Sequence, residues 1–319
     1  MNYLNETHIE GILYDHKLVV KTAGENSKNP GTQFISGTID IATDDELTNI
    51  VQVHYTYETP TFAKSGQANS RYNTLFDIIN GVTKTYMKDG NAAATVRVDS
   101  ALALNEFYSN RSGTEELVSV KRNEGGFIHV NTQLNSDPDK RNTFRCDIII
   151  TGARRVEAVE EKNIEEHVVV KGYVFDFRKT PMPMEFNAYT PGAMDYFENL
   201  EASEKNPVFT RIWGNQITQT VASTTTEESA FGEAYVREVA SNRKDFVISG
   251  AAKEPYVWDD EATITAAQLK EGLANRELAL ANMKKRNDDY QASKTQNNGV
   301  SAFASAPAAS TNTSRGFNF

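Results

Sequence analysis

The chain has 319 residues, with 33 Lys and Arg against 43 Asp and Glu, and a formal net charge of −10. This acidic balance excludes a protein that coats duplex DNA through overall charge, although it is compatible with a local basic groove. The length allows two domains of ordinary size. The single cysteine, Cys146, excludes a disulfide framework and is typical of a reducing compartment.

No segment predicts export or membrane insertion. The first residues lack the basic and apolar regions of a signal peptide. No apolar run approaches the roughly 20 residues that span a bilayer. We therefore expect a cytoplasmic protein that does not contact the membrane.

Residues 5–131 carry a pattern of three strands, a helix and two further strands. Alternation of apolar and polar residues marks the strands, because successive side chains of a strand point to opposite faces. The strands are predicted at 8–14, 33–41, 49–57, 95–98 and 117–120, and the helix at 74–79.

The same order recurs over residues 143–255, after a polar stretch that contains the turn Asp137-Pro138-Asp139. Three strands, one helix and two strands are typical of the five-stranded Greek-key barrel of the oligonucleotide-binding (OB) type. The predicted fold is therefore mainly β, with two tandem OB-like barrels. The second set of strands is predicted at 144–151, 168–177, 184–189, 208–213 and 234–239, with a helix at 193–197.

Beyond the second barrel the composition favours a helix over residues 263–291. Thr265-Ala266-Ala267-Gln268 has the form of a capping box, and Ala, Leu, Glu, Lys and Arg dominate the residues after it. An apolar seam either docks on a barrel or forms a short coiled coil in a homo-oligomer through residues 265–290. The seam consists of Leu269, Leu273, Leu280 and Met283.

Residues 292–319 are rich in Ala, Ser, Asn and Thr and almost free of charge, which predicts a disordered tail. The tail ends in Phe317 and Phe319. Two aromatic residues on a flexible tether are either a docking peptide for partner proteins or an ordinary terminus. The sequence leaves both interpretations open.

The residues do not form a recognisable catalytic or metal-binding constellation. The five histidines are scattered, without the short spacing that metal sites favour. No glycine-rich phosphate loop ends in Lys and Ser or Thr. The sequence therefore predicts neither an enzyme nor a cofactor.

Strand alternation indicates which side chains face outward. The isoleucines of 33–41 and the valines of 168–177 are predicted to fill the cores, which turns the residues between them outward. Aromatic and basic side chains interleaved on an outer face are typical of a base-stacking platform, where each stacked base contributes roughly 1–3 kcal/mol. The candidate nucleic-acid-binding residues are Lys28, Phe34, Tyr57, Arg97, Lys171, Tyr173, Phe177, Arg178, Lys179, Arg211 and Trp213.

Two features extend this interpretation. The polar loop 24–31, which carries Lys28, joins the first two strands, where such barrels commonly close over a ligand. An outward arginine recurs in the fourth strand of both copies, at Arg97 and Arg211. The alternative is that Tyr173, Trp213 and the equally outward Phe175 are packed in an interface or under the C-terminal helix.

The runs Gly11–Tyr14, Ser27–Gly31 and Phe34–Thr43 resemble the opening of bacterial single-stranded DNA-binding proteins. The whole of residues 8–255 resembles the larger, duplicated versions that bacteriophages encode. The resemblance implies sequence-tolerant binding of single-stranded DNA in phage replication or recombination, without catalysis, in the host cytoplasm. Partners at the tail would then be replication or recombination proteins.

The resemblance fails at the tail. Bacterial members end in an acidic run before a hydrophobic tip that recruits partner enzymes. Here no acidic residue follows Asp289, and Arg315 precedes the tip.

A second hypothesis is a structural or assembly protein, for example a virion component that uses the barrels as a scaffold. The two hypotheses differ in what they require of the outward cations. In a nucleic-acid-binding protein these cations lie in one groove. In a scaffold protein they lie apart, and Tyr173 and Trp213 are buried against neighbouring segments or molecules. These cations are Arg97, Lys171, Arg178, Lys179 and Arg211.

Overall fold

The computed structural model describes residues 3–25, 27–62, 65–109, 114–159, 164–228, 234–258 and 264–300. It confirms a mainly β chain with a C-terminal helix. The strands are β1 (Asn5–His16), β2 (Val19–Thr22), β3 (Gln33–Ala42), β4 (Ile50–Glu58), β5 (Thr95–Ser109), β6 (Glu116–Val130), β7 (Asn142–Val156), β8 (His167–Phe175), β9 (Pro181–Ala188), β10 (Val208–Glu228) and β11 (Ala234–Ala251). The helices are α1 (Ser70–Ile79), α2 (Tyr86–Asp89), α3 (Pro191–Asn199) and α4 (Ala266–Val300).

Five strands of the first copy close into a ring, which we call barrel 1. β1 pairs antiparallel with both β5 and β3, and β3 pairs with β4. β4 runs parallel to β6 at Val53 and Asn123, and β6 neighbours β5. Along the chain, helix α1 comes between β4 and β5, the third and fourth strands of the ring. This is the OB arrangement that the sequence predicted.

The predicted core residues of barrel 1 are buried. Ile35, Ile39 and Ile41 of β3 are fully inaccessible to solvent. Gly37 lies at a bulge between them with φ +140°, and a Cβ there would come within 2.1 Å of the Lys17 carbonyl oxygen. Only glycine allows this approach. It lets the chain turn back as β2, an unpredicted short strand that pairs with β3.

The second copy forms an equivalent ring, barrel 2. β7 pairs with β8, and β8 pairs with β9. β9 runs parallel to β11 at Asn187 and Val247, while β10 pairs with both β11 and β7. Cys146 is buried in this core with the predicted valines of β8, and burial raises the pKa of its thiol.

The β10–β11 hairpin is much longer than predicted. Backbone pairing extends from Ile212 and Ala251 to Glu228 and Ala234. The prediction ended the first of these strands at residue 213, because regular apolar alternation stops there. The continuation is rich in threonine, a β-branched residue that favours strands without requiring a buried face.

The two barrels share one continuous sheet. β1 belongs to barrel 1 but also pairs with β7, from Asn5 opposite Cys146 to Ile9 opposite Asn142. The inward faces of both barrels therefore lie on the same side of this junction. The outward face runs across β5, β1, β7 and β10.

The chain divides into two compact units, residues 1–106 with 119–274, and residues 107–118 with 275–319. In the second unit Glu115 accepts a hydrogen bond from Asn287 (2.7 Å) and pairs with Lys284 (3.2 Å). No helix in the described ranges is long and apolar enough to cross a membrane.

Helix α4 begins at the predicted capping box. Thr265 N–H donates to Gln268 Oε1, and Gln268 N–H donates to Thr265 Oγ1, both at 3.1 Å. The helix continues to Val300, past its predicted end at residue 291. The rest of the predicted tail, with Phe317 and Phe319, lies outside the described residues.

Candidate nucleic-acid interface

The outer face of β3 and β4 in barrel 1 carries an aromatic pair, of which Tyr57 is exposed and Phe34 is half-buried. The rings of Phe34 and Tyr57 lie 4.5 Å apart at 36°. Tyr57 is 45% exposed, whereas Tyr55, two residues earlier, is buried in the core. This pair occupies the strand pair through which OB barrels bind oligonucleotides.

Strand β2 places a cation beside this pair. Lys21 lies opposite Phe34 in the β2–β3 ladder, and its Nζ is 3.3 Å from Ser36 Oγ. All four residues of β2 are exposed. Lys28 is exposed in the following loop. The predicted loop and aromatic pair therefore belong to one side of barrel 1.

A third ring lies at the same end of the neighbouring strand β6. Phe127 is 55% exposed, three residues past the point where β6 runs beside β4. The Arg71 guanidinium lies 5.8 Å from this ring and pairs with Glu58 of β4 (2.9 Å). We call Phe34, Tyr57 and Phe127, with Lys21 and Arg71, the barrel 1 patch.

Sequence reasoning did not identify Phe127 or Arg71. Phe127 follows Gly125 and Gly126, both at positive φ, in a stretch without regular alternation. The signal that was available for Arg71 was its place at the start of a helix, beyond a long polar loop. Neither residue can be placed beside β4 without the pairing of β4 with β6.

The outer face of barrel 2 is covered by Tyr3 and by residues 256–258 and 264–273. Phe175 and Phe209 are only 1% and 2% exposed, although they face away from the barrel core. Tyr3 covers Phe175 with ring centres 4.5 Å apart, and Tyr256 covers Phe209 at 4.8 Å. We call this cluster the covered face. It consists of Ile149, Phe175, Phe209, Ile264 and Leu269, with Tyr3, Tyr173, Tyr256, Trp258 and Leu273 packed against it.

Lys171 and Tyr173 also line a groove of about 420 Å³ over β8 and β9. The cations in this groove are already paired within the protein. Lys171 Nζ lies 2.9 Å from Glu185 Oε1, and Lys121 of β6 donates to the Glu185 carbonyl oxygen at 2.8 Å. A phosphate here would compete with Glu185.

The turn between β8 and β9 presents Phe177, Arg178 and Lys179. Phe177 is 89% exposed, and the Arg178 guanidinium lies 5.0 Å from its ring. Asp176 accepts hydrogen bonds from the N–H groups of Arg178 (2.8 Å) and Thr180 (2.7 Å), which fixes the turn. Lys179 adopts φ +65° at its tip.

The two recurring arginines lie on the outward face of β5, β1, β7 and β10, and both are paired. Arg211 Nε lies 2.7 Å from Asp147 Oδ1, and hydrogen bonding to Asp147 raises the pKa of Arg211. Arg97 Nε lies 3.4 Å from Asp99, which also bonds His8 at 2.8 Å. Acidic and basic side chains therefore balance on this face.

Trp213 lies on the same face and is 39% exposed. Its indole rests on Gly250, where a Cβ would come within 2.5 Å of the ring. Arg145 is its direct cross-strand neighbour on β7. Alternation along β7 is the signal for Arg145, because its neighbours Phe144 and Cys146 are buried in the core.

The structure thus places Phe34, Tyr57 and the loop of Lys28 on one side of barrel 1, while the other eight candidates occupy three separate places. These are the β8–β9 groove, the β8–β9 turn and the outward face that carries Arg97, Arg211 and Trp213. Within the described ranges no three His, Cys, Asp or Glu residues cluster as metal ligands would.

Comparison with known proteins gives one family. The chain is similar to a deletion mutant of the single-stranded DNA binding protein from Thermus aquaticus, with 10% identity and a TM-score of 0.44, over 82% of this chain and 98% of that one. No curated protein matches the chain. The model of the family described as YorF matches residues 4–286. Because this match spans most of the sequence, the chain belongs to the YorF family.

Proposed function

We propose that this protein binds single-stranded DNA through the barrel 1 patch, without strong dependence on sequence and without catalysis. The observation that carries the proposal is the Phe34–Tyr57 pair, with Tyr57 exposed and Phe34 half-buried, on the strands that OB barrels use for oligonucleotides. Stacking on an aromatic ring accepts any base, and Lys21 beside the pair suits a phosphate.

The same proposal includes the biological setting expected from the sequence. The protein would hold single strands during replication or recombination of phage DNA, in the host cytoplasm. Residues 5–131 and 143–255 would act as two barrel domains. Recruitment of partners through Phe317 and Phe319, and self-association through residues 265–290, remain predictions.

The test is a fluorescence-anisotropy titration with labelled oligo-dT of about 30 nucleotides, at several salt concentrations, beside a duplex of equal length. We expect tight binding to the single strand, with a log–log salt slope of about −0.7 for each phosphate contacted. The double variant Phe34→Ala/Tyr57→Ala should weaken binding by about 2–6 kcal/mol if both rings stack a base.

Phe76→Ala is the matched control, because Phe76 is a comparably exposed aromatic residue on helix α1 rather than on the strand face. It should leave oligo-dT affinity unchanged. Equal binding by the control, the double variant and the unmodified protein would contradict the proposed site.

A structural or assembly role is the second candidate. The observation that favours it is the pairing of Arg97 and Arg211 with aspartates, together with the covered aromatic face of barrel 2. No binding of oligo-dT at low salt would favour this second role over the first.

A further inference from the structure

A partly open cavity of about 220 Å³ lies between the two barrels. One wall is the outer face of β4, with Gln52 and His54. The opposite wall comes from barrel 2, with Gln216 of β10 and Phe246 of β11. Strand β6 closes one side with Val120 and its neighbours.

The walls of this cavity are fixed by a buried amide network. Asn123 Nδ2 donates to Gln216 Oε1 at 2.8 Å, and Gln216 Nε2 donates to Asn123 Oδ1 at 3.0 Å. Asn123 also donates to the Gln52 carbonyl oxygen at 3.1 Å. Asn123 and Gln216 are 3% and 5% exposed, so this network holds barrel 2 against β4 and sets the width of the cavity.

The lining suits a flat, polar ring better than a phosphate. Phe246 is 6% exposed and contributes a small aromatic surface to the wall. Gln52 Nε2 donates to Asp40 Oδ1 at 2.7 Å, so Gln52 Oε1 is the amide atom offered to a ring edge, together with the Thr218 hydroxyl. Asp245 adds a carboxylate that already accepts hydrogen bonds from Asn187 Nδ2 (3.2 Å) and the Tyr189 hydroxyl (3.3 Å), and its charge repels a phosphate. Lys121 lies 5.2 Å from the Phe246 ring, and burial lowers the pKa of its ammonium group.

The cavity continues the face that carries the barrel 1 patch. Gln52 and His54 alternate along β4 with the buried Val51, Val53 and Tyr55, so they point to the outer face. Tyr57 follows His54 by three residues, about 10 Å of strand, and the extra residue of β4 at the bulge between Tyr55 and Glu58 returns Tyr57 to this outer face. A nucleic-acid strand stacked on Phe34 and Tyr57 would therefore reach the cavity within a few nucleotides.

The size of the cavity selects among bases. An engineered protein cavity of about 150 Å³ accommodates one benzene ring. About 220 Å³ therefore takes one six-membered ring with its exocyclic groups, and a purine would not fit fully. We infer that this cavity is a pyrimidine pocket, which receives one thymine or cytosine of the bound strand and gives the protein a base preference.

This inference rests on the proposed function and is tested by comparing oligo-dT and oligo-dC with oligo-dA. The unmodified protein should bind the pyrimidine oligomers about tenfold more tightly. Val120→Phe should fill the cavity without touching a core, because Val120 is 47% exposed. In this variant the affinity for oligo-dT and oligo-dC should fall about tenfold, to that for oligo-dA, while the affinity for oligo-dA stays unchanged.

Two further variants make the result specific. Gln52→Ala removes a polar group of the pocket and should also lower the preference. Val82→Phe places the same bulk at another exposed valine, after α1, and should preserve it. Since stacking within oligo-dA affects all variants equally, the change in preference reports the pocket alone.

The outcomes separate the two claims. A preference that persists unchanged in Val120→Phe and Gln52→Ala would overturn the pyrimidine pocket while single-strand binding stands. Equal affinity of the unmodified protein for all three oligomers would overturn it as well. If the unmodified protein binds none of the three oligomers, the result contradicts both the proposed function and the pyrimidine pocket.

Discussion

The two barrels have the same strand order, but their outer faces differ in how far other segments of the chain cover them. Aligning Gly37 with Gly172 places Phe175 of barrel 2 where barrel 1 has Asp40. Phe175 is 1% exposed under Tyr3, whereas Asp40 is half-buried and accepts a hydrogen bond from Gln52. An aromatic residue that points outward from a strand is therefore not by itself a binding residue. Whether another segment of the chain covers it decides its role.

The largest expected effect concerns the covered face. Phe175→Ala should lower the free energy of unfolding by about 3–5 kcal/mol, because it removes a buried ring and leaves a cavity under Tyr3. Urea denaturation measures this change. Asp40→Ala, at the equivalent position of barrel 1, should cost less than about 1.5 kcal/mol. Similar costs for the two variants would contradict the difference between the two faces.

The next effect distinguishes the two recurring arginines. Arg211→Ala should lower the free energy of unfolding by about 1–3 kcal/mol, because Asp147 is buried and loses two hydrogen bonds. Arg97→Ala should cost at most about 1 kcal/mol, since the side chains of Arg97 and Asp99 are 39% and 52% exposed and water weakens their pairing. Thermal unfolding of both variants gives the comparison.

Neither arginine variant should alter oligo-dT affinity by more than about twofold, since both side chains are occupied by aspartates. A large loss of affinity in Arg211→Ala, with stability unchanged, would show that this face binds the strand instead.

The smallest effect concerns the lysines of the two barrels. Lys21→Ala should reduce the salt slope of oligo-dT binding by about 0.7, because one phosphate contact is lost. Lys171→Ala is the matched control in barrel 2, where Glu185 already pairs with the lysine. Its salt slope should be unchanged. The reverse result, a change for Lys171 alone, would move the binding site to barrel 2.

The strand order of each barrel could be predicted from sequence, because period-2 alternation is a local signal that the cores reinforce. Ile35, Ile39 and Ile41 are buried as expected, and the Thr265–Gln268 capping box forms. Local signals were sufficient for these features.

The exposure of the candidate residues could not be predicted in the same way. The covering of Phe175 by Tyr3, and of Phe209 by Tyr256, joins residues far apart in the chain. The approach of Arg71 to Phe127 likewise depends on the parallel pairing of β4 with β6. Alternation identifies the outer face of a strand, but it contains no information on what packs over that face.

Hydrogen–deuterium exchange with and without oligo-dT tests the central claim most directly, because it reads both barrels in one sample. We predict that binding slows amide exchange in peptides spanning residues 17–58, which contain β2, β3 and β4. Exchange across β8 and β9 should stay unchanged. Protection of residues 167–188 with none in 33–58 would contradict the assignment of single-strand binding to barrel 1.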